Sequence, residues 1–353
     1  MIKVLIVEDS PVVQELLVHI LGSQPDIQVV GIVDNGQDAL PAVKQTKPDV
    51  VTMDIHMPRM DGFQATRQIM ETHPTPIVIV SGSSTSQEAT FSFKAIEAGA
   101  LAVVPRPPGL THPDHEATVR ELIQTVKLMS EIKVVTRKTW PQVPPSIVVP
   151  APLALGNIQI VAIGASTGGP VALQQILSGL PMNLPFPLLI VQHISAGFVR
   201  GFVDWLAEAS RFPLLIASHG ERPRPGQGYV APDGFHLGVG AGPRLVLSDH
   251  APENSLRPSV AYLFRTVAAI FGPQAVGVLL TGMGSDGARE LLLMRQKGAI
   301  TIAQDKDSSV IHGMPGVAIG MDAATHVLPP EGISAMLVAL AEQTNGVGND
   351  KPE

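Results

Sequence analysis

Along the first hundred or so residues, short apolar runs alternate with stretches of helical period, and each run stops at a polar residue. Ile2–Val7 stops at Glu8-Asp9, Val50–Met53 at Asp54, Ile77–Val80 at Ser81 and Leu101–Val104 just before Arg106-Pro107, and Val29–Val33 completes the set. Short, continuously apolar runs suit parallel strands covered on both faces. Between the first two, Val13, Leu16, Leu17, Ile20 and Leu21 share one helix face, with Ser10 as the cap and Pro11 in the first turn. A helix over Gln37–Thr46 leads to the third strand, and Val119, Leu122, Ile123, Val126 and Met129 mark a last helix after Pro113-Asp114. The expected unit is (βα)5, a doubly wound parallel sheet whose ligand crevice lies beyond the carboxyl ends of its strands.

The pattern fails from Lys133 to Asn157, where Pro141, Pro144, Pro145, Pro150 and Pro152 suit an extended connector. Trp140 either docks this connector on a domain or packs locally. A second alternation then begins, with strands at 158–163 and Leu188–Val191, and helices over Gly169–Ser178 and Phe198–Ala209. Leu214–Ala217 is a further strand, and Tyr229–Ala231, His236–Val239 and Arg244–Leu247 suggest hairpins between Gly, Pro and Asp turns. A helix over Pro258–Phe271, a buried strand from Ala275 to Leu280, a helix over Ala288–Lys297 and a strand at Ala299–Ala303 complete the repeat. The chain thus divides into a first α/β domain (1–130), a Pro-rich linker (131–157), a second α/β domain with a mostly parallel sheet plus a hairpin region (158–345), and a flexible tail (346–353).

Composition narrows the setting. At 353 residues, two domains of ordinary size are expected, and 45% hydrophobic with 16% charged residues suits layered α/β cores. The net charge of −7 gives no reason to expect nucleic acid or an anionic membrane as partner. There is no cysteine, hence no disulfide framework. Neither a leader-like start nor an apolar run of about 18 residues is present, so a cytoplasmic protein without membrane insertion is expected.

The strand ends carry the chemistry. Glu8, Asp9 and Asp54 converge as three carboxylates whose repulsion a divalent cation would relieve, and all-oxygen ligands favour a hard ion such as Mg²⁺. The competing reading is a cap at Asp9 and a solvated turn at Asp54. Val7-Glu8-Asp9-Ser10, Met53-Asp54-Ile55-His56-Met57-Pro58-Arg59-Met60-Asp61-Gly62, Ser81 and Arg106-Pro107 together resemble a response-regulator receiver domain. The resemblance implies that Asp54 is the phospho-acceptor and that Glu8, Asp9, Asp54 and the backbone carbonyl of His56 hold Mg²⁺. It also implies that Ser81 contacts the phosphoryl group. Two positions depart from that family: Arg106 stands where it has lysine, and Val103 where it has a switch aromatic. A planar guanidinium is not equivalent to an ammonium, so the conformational readout of phosphorylation is where the departure counts.

In the second half, Gly164-x-Ser166-x-Gly168 follows a strand and fits a nucleophile elbow, although a phosphate cradle at a helix N-terminus would look the same. Two other strands run into Gln192-His193 and Gly284-Ser285-Asp286, which supplies a serine, a base and a carboxylate for acyl transfer. The order Ser, His, Asp differs from that of the α/β-hydrolases. Each residue also has a plainer role open to it: His193 as a polar strand terminus, Asp286 as the cap of the helix that follows it. His219, His236, His250, His312 and His326 are competing bases that follow less clear strands. Ile163–Gly169, Val191-Gln192-His193, Leu256-Arg257-Pro258-Ser259-Val260 and Leu280–Gly287 resemble the chemotaxis protein-glutamate methylesterase family, which often has Asp at the position of Ala261. That resemblance implies a Ser166–His193–Asp286 triad, oxyanion-hole N–H groups at Thr167 and Met283, and no cofactor for the esterase. It implies hydrolysis of glutamyl methyl esters on chemoreceptors, with receptor glutamine deamidation, under control of a chemotaxis histidine kinase. A binding module without turnover is the alternative from another class, and DNA-binding output is disfavoured by the acidic charge and the lack of a basic recognition helix.

Overall fold

The computed structural model describes residues 1–82, 86–132, 134 and 158–347, without side chains for 86–91 and 345–347. Most of the expected linker, Trp140 within it, and most of the expected tail lie outside the described residues. The chain divides into two compact units, parted between Val143 and Pro144.

The N-terminal unit alternates β1 (Ile2–Val7), α1 (Pro11–Gly22), β2 (Ile27–Val33), α2 (Gly36–Thr46), β3 (Val50–Met53), α3 (Gly62–Thr72), β4 (Ile77–Ser81), α4 (Ser86–Glu97), β5 (Ala102–Pro105) and α5 (His115–Ser130). Its sheet has the order β2-β1-β3-β4-β5 and is parallel throughout. Every residue of the central strand β3 is buried, Thr52 among apolar neighbours, while edge strand β2 exposes Gln28 and Ile32. Ser10 occupies the N-cap of α1 but its side chain makes no capping bond; its N–H donates to Glu8 Oε1 at 3.1 Å instead.

The C-terminal unit contains β6 (Ile160–Ala165), α6 (Gly169–Ser178), β7 (Leu188–Gln192), α7 (Val199–Ser210), β8 (Leu214–Ile216), β9 (Gly228–Val230), β10 (His236–Gly240), β11 (Arg244–Ser248) and α8 (Val260–Phe271). After a 3-10 turn follow β12 (Ala275–Leu279), α9 (Ala288–Gln296), β13 (Ile300–Gln304), α10 (Met314–Gly320), β14 (His326–Leu328) and α11 (Pro330–Val347). Seven strands form one parallel sheet in the order β14-β13-β12-β6-β7-β9-β8.

One expectation needs correction. Tyr229–Ala231 is no hairpin arm: β9 pairs in parallel with β7 and β8, and Tyr229 is fully buried. Only β10 and β11 form the expected antiparallel hairpin. It packs on α8, and together with β6, β7 and β12 they bury a continuous apolar cluster that includes Leu189, Leu237, Leu263, Phe264 and Leu279.

Candidate active site

β6 sits between β12 and β7, so the carboxyl ends of these three strands are neighbours. Backbone bonds stitch the ends together. The Ser166 N–H donates to the Thr281 carbonyl at 3.0 Å, and the His193 N–H to the Ala165 carbonyl at 2.9 Å. Gln192, buried at the end of β7, donates its side-chain amide to the carbonyls of Ser166 (2.8 Å) and His193 (2.9 Å). The loops that carry Ser166 and His193 are thereby held in mutual register.

His193 Nε2 lies 3.0 Å from Asp286 Oδ2. The Asp286 side chain is 2% exposed and that of His193 10%, so the pair is shielded from water while the imidazole keeps an opening. Asp286 does not cap the helix that follows it, since Gly287 holds that position. It sits instead at the N-terminus of α8, where it accepts from Ser259 Oγ (3.0 Å), Val260 N (2.7 Å) and Ala261 N (3.2 Å), and further from Asn254 Nδ2 (3.2 Å). A helix N-terminus favours negative charge, and its free N–H groups point at the carboxylate. Burial pushes the Asp286 pKa up, but the His193 imidazole, Val260 N–H and Asn254 amide outweigh it and leave the carboxyl below its ordinary range.

The turn at Ser166 is not the strained elbow its motif suggests. Among the described residues, Ser166 is absent from the non-glycine residues with positive φ, and Gly168 at φ +79° absorbs the reversal. Gly282 makes room: a Cβ there would stand 2.6 Å from Ser166 Cβ. Behind it the Thr281 hydroxyl, with one hydrogen to donate, lies between the carbonyls of Thr167 (3.0 Å) and Ile311 (3.1 Å), and the buried Gln304 accepts from the Thr281 N–H at 2.8 Å. Thr167 and Met283 therefore flank Ser166 from two tied loops, and Met283 is 42% exposed.

Among the competing histidines, His236 and His219 have ring nitrogens engaged by backbone groups. His236 is fully buried with a hydrogen bond at each ring nitrogen. His219 bonds the backbone of Leu247, His312 lies by Ser309 Oγ at 3.4 Å, and His326 opens edge strand β14.

In the N-terminal unit, ligand oxygens of Glu8, Asp9 and Asp54 lie within 4.8 Å of one another. Glu8 is pushed up to about 7, by burial first and by the Asp54 charge next; burial likewise raises Asp54. Glu8 Oε2 is buried without a hydrogen-bond partner. An orphaned carboxylate oxygen among crowded carboxyls fits a hard cation, so the residues present suit Mg²⁺. Ser81, buried, ends β4, and Arg106 Nη1 lies 3.9 Å from Glu8 Oε1. The guanidinium lies over Gly82 in space that a Cβ there would claim.

The residues that sequence reasoning missed are those that fix Asp286 and Ser166: Asn254, the Ser259 hydroxyl, the N–H groups of Val260 and Ala261, Thr281 and Gln304. The Arg257-Pro258-Ser259 stretch was visible as motif, but nothing local says that its helix start faces a carboxylate on another loop.

An acidic (βα)5 pocket joined in one chain to a parallel α/β domain with serine, histidine and aspartate at adjoining strand ends defines a hydrolase with a receiver module. The receiver-domain family pattern matches residues 4–111, and that described as CheB methylesterase matches 161–337. A protein of Syntrophus aciditrophicus named protein-glutamate methylesterase/protein-glutamine glutaminase 1 is 55% identical over 97% of this chain and 99% of its own. One of Methanospirillum hungatei, numbered 2 under the same name, is 47% identical over 97% and 99%. The crystal structure of the Thermotoga maritima CheB methylesterase catalytic domain covers 52% of this chain and 100% of its own, with 36% identity and a TM-score of 0.51. The chain belongs to the CheB methylesterase family, in a form that carries a receiver domain. Among the described residues, no helix is long and apolar enough to cross a membrane.

Proposed function

We propose that this protein is a phosphorylation-activated chemotaxis methylesterase that hydrolyses glutamyl methyl esters on chemoreceptors to glutamate and methanol, and deamidates receptor glutamines at the same site. The observation that carries this reading is the shielded pair of His193, after β7, and Asp286, after β12, reaching each other from the two strands that flank the one running into Ser166, in a chain whose full-length relatives bear methylesterase/glutaminase names.

With Nε2 engaged by Asp286, Nδ1 is the nitrogen left to serve Ser166. Ser166 Oγ attacks the ester carbonyl while His193 takes its proton; the tetrahedral intermediate collapses, and methanol leaves with that proton. Water, deprotonated by the same imidazole, then cleaves the acyl-enzyme and restores Ser166. With glutamine the leaving group is ammonia. Asp286, fixed by its donors, holds the ring tautomer and stabilises the imidazolium, and the N–H groups of Thr167 and Met283 serve the oxyanion, a role commonly contributing about 10²–10³-fold in rate.

In the receiver, Asp54 accepts a phosphoryl group from a chemotaxis histidine kinase. Glu8, Asp9, Asp54 and the carbonyl of His56 would hold Mg²⁺, which when bound supplies positive charge for the phosphoryl oxygens. Ser81 and Arg106 contact the phosphoryl group. Phosphorylation then shifts a population from an arrangement that shields Ser166 to one that admits the receptor, which requires a phosphoryl-dependent difference in interface energy.

One assay tests both halves: methanol release from methylated receptor, with and without a small acyl-phosphate donor. Ser166→Ala is expected to lower release by roughly 10³-fold or more while the fold is kept, and Asp54→Ala to remove the response to the donor alone. Near-normal release by Ser166→Ala would sink the triad, and equal donor response in Asp54→Ala would leave the receiver without its role.

A further inference from the structure

We propose that His236, a buried histidine outside the reacting set, is a positioning residue that holds the Asp286 carboxylate in place for catalysis from both sides at once. The inference rests on the triad reading above and goes one layer behind it.

His236 opens β10 and is 0% exposed. Its Nδ1 accepts the Ser259 N–H at 3.2 Å, and its Nε2 donates to the Ala251 carbonyl at 3.2 Å. A backbone N–H can only donate and a carbonyl only accept, so these partners fix the tautomer: Nε2 carries the hydrogen and Nδ1 the lone pair. The ring cannot turn freely, because Tyr262 stacks on it with centroids 4.9 Å apart and planes 16° from parallel. Arg265 lies 5.6 Å over the Tyr262 ring and pairs with Glu253.

The two anchor points of His236 are what connect it to the reaction. Apart from His193, Asp286 has four donors, which come from two segments only. Ser259 Oγ, Val260 N and Ala261 N belong to the start of α8, the segment bonded to Nδ1. Asn254 Nδ2 belongs to the 251–256 turn, the segment bonded to Nε2. That turn runs through two left-handed residues, Asn254 (φ +52°) and Ser255 (φ +65°), a conformation that persists only where its surroundings hold it. One imidazole thus spans the two segments that cradle the carboxylate. If either drifts, Asp286 moves and carries His193 with it, and a misplacement of about 1 Å can cost roughly 10²-fold in rate.

The test uses the full chain with methylated receptor and reads kcat, KM and the thermal midpoint. His236→Leu, which removes both bonds, is expected to lower kcat about 10- to 100-fold with KM within about twofold. His236→Gln, whose amide offers one acceptor and one donor, is expected to recover most of that loss. In an Asp286→Asn background His236→Leu is expected to cost little further, because the group it positions is already disabled. Near-normal kcat in His236→Leu, no recovery with Gln, or an equal loss in both backgrounds would overturn the proposal. Should His236→Leu fail to fold, Ser259→Ala takes its place, since it removes one of the three bonds from the start of α8 to Asp286 and leaves His236 bonded to the Ser259 N–H. A fall in kcat of about fivefold that vanishes in the Asp286→Asn background is then expected, and unchanged kcat overturns the proposal. An active Ser166→Ala would instead remove the triad reading itself, so the two failures are distinct.

Discussion

At the scale of the residue, Arg106 shows how one side chain is fitted by another that is missing. Its guanidinium lies over Gly82 and reaches toward Glu8, one of the two most buried acids of the receiver pocket. A methyl group at position 82 would contest that space, so Gly82→Ala is expected to displace the guanidinium and to lower the acyl-phosphate stimulation of methanol release several-fold. The unstimulated rate should not change. An unaltered stimulation would mean that Arg106 does not need this position. The identity of Arg106 was legible in the sequence, as was its departure from lysine. Its seat over Gly82 was not, because the pairing depends on two strand ends meeting in space: Arg106 N–H donates to the Ser81 carbonyl at 2.8 Å.

At the scale of the element, the loop after β12 is the piece that must fit most tightly. The Gly282 carbonyl accepts from the N–H groups of Gly313 (3.1 Å) and Met314 (2.9 Å), while its Cα faces Ser166 and Met314. Gly282→Ala would bring a methyl group to 2.6 Å from Ser166 Cβ and 2.5 Å from Met314 Sδ, with the Ser166 backbone already tied to Thr281. Since Ser166 cannot move freely, we expect kcat to fall by about 10²-fold while the thermal midpoint drops only a few degrees. Equal losses of both would point to disrupted folding instead. Sequence reading located this loop because a buried strand ran into a glycine-rich turn. It misassigned β9, because Tyr229–Ala231 between Gly228 and Pro232 look like a hairpin arm while strand pairing is decided by neighbours remote in sequence. It passed over α10, β14 and α11, two of which are too short to show a period. The same blindness to distant partners made Asp286 look like a cap for α9 when α8 is the helix that holds it.

At the scale of the whole molecule, each unit has a complete sheet with its own buried core, and each is of a size that commonly folds alone. The proposed control can therefore be tested with the catalytic unit alone. A fragment spanning 158–347 should unfold in one cooperative transition, since its seven-stranded sheet, α8 and the β10–β11 hairpin close its core without the receiver. If the receiver acts by shielding Ser166, the fragment should release methanol faster than the unstimulated full chain and ignore the acyl-phosphate donor. A fragment that stays slow, while the donor-treated full chain is fast, would show that the phosphorylated receiver adds something the catalytic unit lacks, such as receptor contacts or an ordered loop. That result would leave the Ser166, His193 and Asp286 chemistry standing and replace the shielding mechanism. A fragment that matches the stimulated chain would assign the whole effect of Asp54 phosphorylation to access.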